Sequence, residues 1–388
     1  MRIKHLLVCI ASTTAFLSGC VAPIASVTSL PQALDATATR TPFLPVTDTP
    51  DPVQDTSSPV VDTSTSTPVP KETTTSLPTD TPTPSLTVNL EAVGDIMLAR
   101  TVGQQVQSQG PQIVFVGVQP VLDTADVLVG NLECALTTGS DRQHKSYTFA
   151  APPETAQALA LAGFDVLSLA NNHAMDYGAS GLSDTRNNLN QYGIASVGAG
   201  ANATEAHKPV ILERNGLRLA FLAYADVPVE NDGFDARTWI ASDTQPGLAW
   251  ADLNQITTGV ASVRNEADVV IVLLHSGYEL NSAVSTNQRA EAHAAIDAGA
   301  ALVIGSHSHI LQPIETYHGG LIAYSLGNFV FDDYLGIVNA TIILRVVLTS
   351  TGFQSYDWVP VIIQNGMPIL TSLNNVQAIG TMVAPINP

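Results

Sequence analysis

The residues of this chain that could do chemistry recur at one kind of place, directly after a short apolar run. His307 and His309 follow the run 301–304, which stops at Gly305. An apolar run ended by glycine predicts a buried strand that leads into a loop. Two imidazoles one residue apart are therefore expected to reach the same small volume. Four other runs are followed in the same way, by Asp95, by Asn131 with Glu133, by Asn172 with His173, and by His275 with Glu279.

Together these side chains have the chemistry of a metal site. Carboxylate, imidazole and amide oxygen are ligands for divalent ions, and imidazole favours Zn, Fe, Ni or Mn over Ca. A single histidine after a strand is usually structural, but five such groups at one rim would be costly to desolvate unless something binds them. The pattern predicts one or two divalent ions, of Mn, Zn or Fe. Two ions about 3.5–4 Å apart would form a hydrolytic site.

The elements that must position these residues alternate between strands and helices. The apolar runs predict strands over 87–95, 126–133, 165–173, 194–200, 268–275, 301–305, 321–329, 341–349 and 357–363, and a hairpin over 209–226 that turns at Asn215-Gly216. Helices are expected over 152–163, 182–193, 251–265 and 287–298. This alternation predicts an α/β fold in which residues 87–388 form a single domain. The polar residues would lie at the carboxyl ends of its strands, where sites form in α/β sheets.

The first 86 residues differ from the rest of the chain. Residues 1–20 begin with a positive charge and continue with an apolar stretch too short to span a bilayer. Their last four residues, Leu17 to Cys20, resemble a bacterial lipobox, which implies a lipoprotein signal peptide with lipid attached to Cys20. The alternative is an ordinary secretory signal. Residues 21–86 are rich in Thr, Pro and Ser, which predicts a disordered spacer. The expected location is extracytoplasmic, with a lipid anchor in the cell membrane.

Charge and cysteine content exclude several functions. The formal net charge is −19, of which −16 belongs to residues 87–388. This acidic balance argues against nucleic acid as a partner and leaves room only for a local basic pocket. Once Cys9 leaves with the signal and Cys20 carries lipid, Cys134 alone remains, so no internal disulfide can form. Cys134 is expected to be a small buried hydrophobic residue and not a nucleophile.

Seven blocks of the sequence resemble a known family. They are "AVGDIMLAR", "GNLECALT", "KSYTF", "LANNHAMDYG", "LLHSGYE", "IGSHSHILQPIE" and "YSLGNFVFD". In this order they are similar to the blocks of the bacterial capsule-synthesis CapA family, which is linked to poly-γ-glutamate biosynthesis. The resemblance covers about residues 88–365. It implies a fold like that of the calcineurin-like metallophosphoesterases, a sandwich of mixed β-sheets flanked by helices.

The resemblance also implies roles for individual residues. The implied metal ligands are Asp95, Glu133, Asn172, His275, His307 and His309. His173 resembles the histidine that stabilises the transition state or protonates the leaving group, and Asp176 would orient it. Methionine at position 97 replaces a histidine ligand that is common in phosphoesterases, which leaves one ion or two as alternatives. Ser276 and Ala150 replace a tryptophan and an arginine expected in the family, so the substrate stays open.

Four further residues are predicted to contact substrate or to support the site. Arg100 and Lys145 would meet an anionic group, or else be exposed charges. Glu279 follows His275 at the same rim. Asn328 would support the site or simply form a turn.

Two functions of different classes fit these observations. The first is a surface-anchored, metal-dependent hydrolase that acts on a phosphoester or amide bond of an anionic envelope polymer such as poly-γ-glutamate. The second is a non-catalytic accessory protein that serves polymer synthesis, export or tethering beside a synthase or exporter. The acidic surface weakens the second, because it would repel a polyanion everywhere except at a basic or metal site.

Overall fold

The structure, a computed structural model, describes residues 86–230, 233–332 and 336–386. The predicted signal segment, Cys20 and the spacer up to residue 85 lie outside these described residues. Within them the strands are β1 (Thr87–Ile96), β2 (Val127–Leu132), β3 (Ala135–Leu136), β4 (Ala150–Ala151), β5 (Val166–Ser168), β6 (Ala195–Val197), β7 (Ala199–Gly200), β8 (Val210–Arg214), β9 (Leu217–Asp226), β10 (Gly247–Leu248), β11 (Val269–Ser276), β12 (Leu302–Ser306), β13 (Ile314–Tyr317), β14 (Gly320–Ala323), β15 (Asn328–Val330), β16 (Ala340–Thr349), β17 (Gly352–Gln364) and β18 (Met367–Leu370).

Helices connect most of the parallel strands. The α-helices are α1 (Arg100–Gln109), α2 (Gln119–Leu122), α3 (Ala156–Ala162), α4 (Gly178–Gln191), α5 (Ala203–Ala206), α6 (Leu253–Val263), α7 (Thr286–Ala298) and α8 (Leu373–Met382). Short 3₁₀ segments lie at Pro111–Ile113, Pro153–Thr155, Ala236–Trp239 and Gly336–Asn339. Among the described residues, no helix has the length and apolar character needed to cross a membrane.

Two mixed sheets form the body of the fold. The larger has the order β18-β17-β16-β1-β2-β5-β6, with β15 also paired to β1. The smaller has the order β13-β14-β12-β11-β9-β8. In the larger sheet β1, β2, β5 and β6 are parallel, and in the smaller sheet β9, β11, β12 and β14 are parallel. Parallel strands require crossover connections, and helices supply them except between β12 and β14, which the chain joins through β13.

The core has three layers, because both sheets are covered on both faces. The apolar run of β11 shows how one strand serves two of them. Val269, Ile271 and Leu273 pack between the two sheets, whereas Val270 and Val272 pack on the opposite face with residues of α6 and α7. A strand buried on both faces has a continuous apolar sequence, which is why the run 268–275 predicts it clearly. The α/β sandwich of mixed sheets flanked by helices is thus confirmed.

Most predicted elements are present, and the hairpin is one of the clearest. Strands β8 and β9 pair in antiparallel register with Arg214 opposite Leu217. Between them Asn215 and Gly216 have φ angles of 50° and 81°, as a two-residue turn with left-handed backbone requires.

The predicted strand 321–329 is wrong as a single element. Its first part, β14, pairs with β12 in the smaller sheet, and its last part, β15, pairs with β1 in the larger sheet. The chain turns between them at Gly327, which has a φ of 70° and donates its N–H to Ser325 Oγ at 3.1 Å. The crossing from one sheet to the other places Asn328 beside Asp95.

Candidate metal centre and active site

The predicted site residues gather at one edge of the sandwich, where strands of both sheets end. Asp95, Asn131 and Glu133 lie at the ends of β1 and β2 of the larger sheet. His275 and His307 lie at the ends of β11 and β12 of the smaller sheet. The two sheets face each other, so their strand ends enclose the site from both sides.

Close backbone approach brings Asp95 and Asn328 together. The Asp95 N–H donates to Gly327 O at 2.9 Å. A Cβ on the preceding residue, Gly94, would lie 1.8 Å from Gly327 O. Glycine at position 94 is therefore required for β1 to run this close to the crossing segment.

The loop after β12 holds both of its histidines in left-handed backbone conformations. His307 has a φ of 89° and His309 a φ of 57°, which is unfavourable for residues that carry a Cβ and is typical of functional sites. The His307 N–H donates to Asp95 Oδ2 at 3.2 Å. This hydrogen bond links the loop of the smaller sheet to the first carboxylate of the larger one.

Asp95 is fully buried and is held by several polar groups. Its Oδ1 accepts a hydrogen bond from Asn131 Nδ2 at 2.8 Å, and its Oδ2 lies 3.3 Å from His309 Nδ1. Burial acts to raise its pKa, but the hydrogen bond and positive charge of His309 outweigh burial and lower the pKa of Asp95. Asp95 is therefore an anion at neutral pH.

Glu133 is as deeply buried as Asp95, but in the described residues no hydrogen-bond donor contacts its carboxylate. Neither of its carboxylate oxygens has a hydrogen-bond partner among the described residues. Its Oε1 lies 3.6 Å from His309 Nε2 and 3.9 Å from His173 Nε2. Burial first, and then the negative charge of Asp95, raise the pKa of Glu133 well above its ordinary value. A buried carboxylate without donors, beside a second carboxylate, is costly unless a cation compensates both.

Two ligand candidates meet across the sheets. His275 Nε2 lies 2.9 Å from Asn172 Oδ1, and its Nδ1 lies 2.9 Å from Ser306 Oγ. Burial lowers the pKa of His275 to about 3. The imidazole is therefore neutral at pH 7, the form that binds a metal ion.

The remaining two histidines differ in their surroundings. His307 Nδ1 is buried without a hydrogen-bond partner in the described chain, and burial lowers the pKa of this imidazole well below its ordinary value. Around His309, burial acts to lower the pKa, but the hydrogen bond and charge of Asp95 outweigh it and raise the pKa. His309 Nδ1 also lies 2.9 Å from Asn328 Oδ1. Asn328 thus supports a ligand candidate, one of the two roles left open for it.

These residues fit a divalent ion. Ligand atoms of Asp95, Glu133 and His309 lie within 4.8 Å of one another, and so do those of Glu279, His307 and His309. The unpartnered oxygens of Glu133 and nitrogen of His307 face no protein donor in the described residues. Two carboxylates with several imidazoles are a donor set for Mn, Zn or Fe. Because His309 belongs to both groups, the arrangement allows one ion or two.

Next to these ligand candidates lies His173, whose imidazole contacts the carboxylate of Asp176. His173 Nδ1 is 2.8 Å from Asp176 Oδ2, which also accepts the Phe149 N–H at 2.6 Å. Burial lowers the pKa of His173. A neutral His173 with its Nδ1–H donated to Asp176 presents the lone pair of Nε2 towards the site.

Lys145 has neither of the two positions predicted for it, which were contact with an anionic substrate group and exposure on the surface. Its side chain is fully buried. The ammonium lies 3.0 Å from Asp176 Oδ1, donates to Asn172 O at 2.6 Å, and pairs with Glu230 Oε1. The contacts with Asn172 and Glu230 are hydrogen bonds, and the contact with Asp176 is an ion pair. Lys145 therefore holds Asp176 and the Asn172 backbone in place and does not project into the cavity.

A cavity of about 240 Å³ opens above these groups. The residues that line it are Arg100, Tyr147, Phe149, His173, Glu230, Glu279, Leu280, His309, Asn328, Phe331 and Val338. Of the four residues predicted to contact substrate, Arg100, Glu279 and Asn328 line this cavity. Five of these eleven residues are aromatic or aliphatic, and the other six, His173 and His309 among them, are polar or charged.

Sequence reasoning missed several supporting residues. Asn171 Nδ2 donates to Asn131 Oδ1 at 3.0 Å, and Asn171 Oδ1 accepts the His173 N–H at 3.0 Å. Because Asn171 directly precedes Asn172 in the sequence, it could have been predicted as a residue of the site. Glu230 had no such signal, because it lies in a loop 85 residues from its partner Lys145.

Cys134 is buried in the apolar core, as expected. Burial raises the pKa of its thiol to about 12. A thiol with so high a pKa is not a nucleophile at neutral pH.

Comparison with known proteins decides the family. The family described as bacterial capsule synthesis protein PGA_cap matches residues 89–333. This chain belongs to that family. The capsule biosynthesis protein CapA of Bacillus anthracis is 36% identical over 289 residues, which are 72% of this chain and 69% of that protein. The PGA biosynthesis protein CapA of Bacillus subtilis (strain 168) is 33% identical over 279 residues, which are 71% of this chain and 72% of that protein.

Among solved structures, a hypothetical protein from Thermus thermophilus is similar with a TM-score of 0.45 and 18% sequence identity. The likeness covers 70% of this chain and 98% of that chain.

The PGA_cap match spans every residue of the candidate centre, from Asp95 to Asn328. It also includes Met97, the methionine that the resemblance to phosphoesterases sets in place of a histidine ligand. Met97 is fully buried and packs in the apolar core between the larger sheet and its helices. Met97 is therefore a residue of the apolar core.

Proposed function

We propose that this PGA_cap protein is a metal-dependent hydrolase that cleaves a phosphoester or amide bond of an anionic envelope polymer. We further propose that it works outside the cytoplasmic membrane, held by a lipid anchor at Cys20 and a spacer over 21–86. The observation that carries the proposal is the buried, donor-free Glu133, with Oε1 only 3.9 Å from His173 Nε2. A cation-binding group would thus lie next to a proton-transfer group, and His173 lines the cavity.

The metal would be held by the residues at the strand ends. Those residues are Asp95, Glu133, Asn172, His275, His307 and His309. When bound, a divalent ion supplies Lewis-acid polarisation and stabilises negative charge that develops in the transition state. The supporting hydrogen bonds of Asn131 and Asn328 keep these ligands in position.

His173 would transfer the proton. As water adds to the carbonyl carbon or phosphorus of the substrate, Nε2 takes a proton from that water. As the bond to the leaving nitrogen or oxygen breaks, Nε2 delivers the same proton to it. Asp176 accepts the Nδ1–H throughout, and so stabilises the imidazolium that forms between the two steps.

The names of the relatives suggest the polymer. One is described as a capsule biosynthesis protein and another as a PGA biosynthesis protein. We therefore propose that poly-γ-glutamate or a similar polyanion is the substrate, and that a polymer synthase or exporter works nearby. Because the domain is acidic overall, it would repel a polyanion over most of its surface, so such a chain would enter best at the centre, where a divalent ion would be held.

The test is metal-dependent shortening of poly-γ-glutamate by the mature chain. The parent, loaded with Mn, Zn or Fe, is expected to shorten the polymer or to hydrolyse bis(p-nitrophenyl) phosphate. His173→Asn should lose the activity, while His318→Asn, which changes an exposed histidine outside the cavity, should keep it. Metal-dependent binding of the polymer without any cleavage would reject the hydrolase and favour the non-catalytic accessory protein.

A further inference from the structure

Arg100 stands one aromatic ring away from the proton-transfer histidine. Its guanidinium carbon lies 4.5 Å from the centroid of the Phe149 ring. His173 stacks on the same Phe149 ring, with a distance of 4.1 Å between the ring centroids and an interplanar angle of 25°. A ligand group bound by Arg100 would therefore lie close to His173, beside the Phe149 ring.

The backbone of Arg100 is also unusual. Its φ is 52°, in the left-handed region, at the first residue of α1. An arginine in this conformation is unfavourable unless its surroundings compensate. Its side chain lines the cavity, where Arg100 is the one arginine or lysine among the described lining residues.

Arg100 is paired, but incompletely. In the described part of the chain its Nη1 donates to Asp332 Oδ2 at 3.1 Å, and this is the one hydrogen bond of the guanidinium. Asp332 Oδ1 is buried and has no hydrogen-bond partner among the described residues. By contrast, Arg345 and Asp357 form two parallel bonds at 2.6 and 2.7 Å. The Arg100–Asp332 pair thus lacks the bidentate geometry that makes such pairs strong.

We infer that Arg100 is the carboxylate receptor of this cavity and that Asp332 is its internal competitor. A carboxylate of the ligand replaces Asp332 on the guanidinium and forms the two parallel bonds that Asp332 does not form. Arg100 thus offers the ligand a cationic side chain in the described lining of the cavity. The cavity therefore selects a chain whose repeating unit carries a free carboxylate near the bond to be cleaved. The cleavage step rests on the proposed function, whereas the receptor does not.

Binding to the mature chain tests the receptor directly. The probe is a γ-glutamyl tripeptide with free α-carboxylates, compared with the same tripeptide as its α-carboxamide. Titration calorimetry is carried out in a His173→Asn background, so that the probe is not consumed. We expect the carboxylate form to bind about 10-fold more tightly or better, as loss of a charge-assisted pair implies. Arg100→Gln should abolish that preference.

Asp332→Asn is the more discriminating variant, because the inference predicts that it binds the probe more tightly. Removing the competing carboxylate should tighten binding of the carboxylate probe about 3- to 10-fold, a change of about 0.6–1.4 kcal/mol. In the double variant Arg100→Gln/Asp332→Asn the gain should vanish. Arg218→Gln is the matched control, since Arg218 pairs with Asp268 at the opposite end of β9 and should leave both affinities unchanged.

Three results would overturn the inference. They are weaker binding in Asp332→Asn, an intact carboxylate preference in Arg100→Gln, and displacement of the tripeptide by inorganic phosphate at matched concentration, which would make the site a phosphate receptor. The proposed function fails separately. If the parent prefers the carboxylate probe but never cleaves the polymer, the inference about Arg100 stands and the proposed hydrolase activity is wrong.

Discussion

His275 Nε2 and Asn172 Oδ1 lie 2.9 Å apart and join the two sheets at the candidate centre. His275 ends β11 of the smaller sheet, and Asn172 follows β5 of the larger one. The His307 N–H makes a second link, to Asp95 Oδ2. Because ligands from both sheets converge, the stability of the whole sandwich determines the geometry of the site. A change that shifts one sheet relative to the other should impair metal binding even when no ligand is altered.

His173→Gln should lower kcat for the proposed hydrolysis about 10²- to 10⁴-fold, because proton transfer by a positioned side chain contributes about that much. KM should change little, since the metal ligands and Arg100 remain. Steady-state kinetics on poly-γ-glutamate, with circular dichroism to confirm folding, would check this. An unchanged kcat in a folded variant would remove His173 from the mechanism.

Lys145→Met should destabilise the domain by about 3–5 kcal/mol, because it leaves Asp176 and Glu230 buried without their cation. Urea denaturation followed by fluorescence would measure the free energy of unfolding. Lys208→Met, at an exposed lysine, is the matched control and should change it by less than about 0.5 kcal/mol. Similar stability of both variants would mean that Lys145 is not needed to hold Asp176.

The described residues also contain a buried acid that takes no part in the proposed mechanism. Burial, and then the charge of Asp226, raise the pKa of Glu291 from 4.5 to about 8. The unfolded chain loses this proton near pH 4.5, whereas the folded chain keeps it up to about pH 8. Since the folded state binds more protons in this window, the free energy of unfolding should fall as the pH rises through it.

Glu291→Gln should remove this part of the pH dependence and be more stable than the parent at about pH 8.5, by on the order of 2 kcal/mol. Glu266→Gln, at an exposed glutamate, should follow the parent at every pH. Urea denaturation between about pH 5 and about pH 9 would compare them. A Glu291→Gln curve parallel to that of the parent would show that Glu291 is ionised in the folded protein.

Asn328→Ala should weaken metal affinity about 10- to 100-fold, because Asn328 orients the His309 ring and such supporting residues contribute about that much. Competition with a chelator of known affinity would measure the change. Asn254→Ala, on the exposed side of α6, should have no effect. Equal affinities in the two variants would reduce Asn328 to the turn former that was the other sequence interpretation.

The sequence predicted the strands that carry the site because each is an apolar run followed by a polar residue. The run 268–275 that forms β11 is short and rich in β-branched residues, which favours a strand buried on both faces over a helix. The α/β class and the grouping of Asp95 with His275 and His307 follow from such runs. The resemblance to the CapA blocks supplied the roles, and membership of the PGA_cap family is confirmed.

Other features depend on contacts that no local pattern contains. The run 321–329 is continuous in sequence but divides between two sheets, because its pairing partners β12 and β1 lie in different sheets. Helix α1 was missed because its residues are mostly polar and only Val102, Gly103 and Val106 are buried. The burial of Lys145 depends on Glu230, whose position is set by the tertiary fold. The lipid anchor at Cys20 and the spacer remain predictions.

The most direct test of the central claim is the metal content of the mature chain, measured by elemental mass spectrometry after reconstitution with Mn, Zn or Fe. The parent should hold about one or two equivalents, and both His307→Ala and His309→Ala should hold substantially less while remaining folded. His318→Ala should match the parent. A parent that binds no metal, or ligand variants that bind as much as the parent, would contradict the metal centre and the hydrolase built on it.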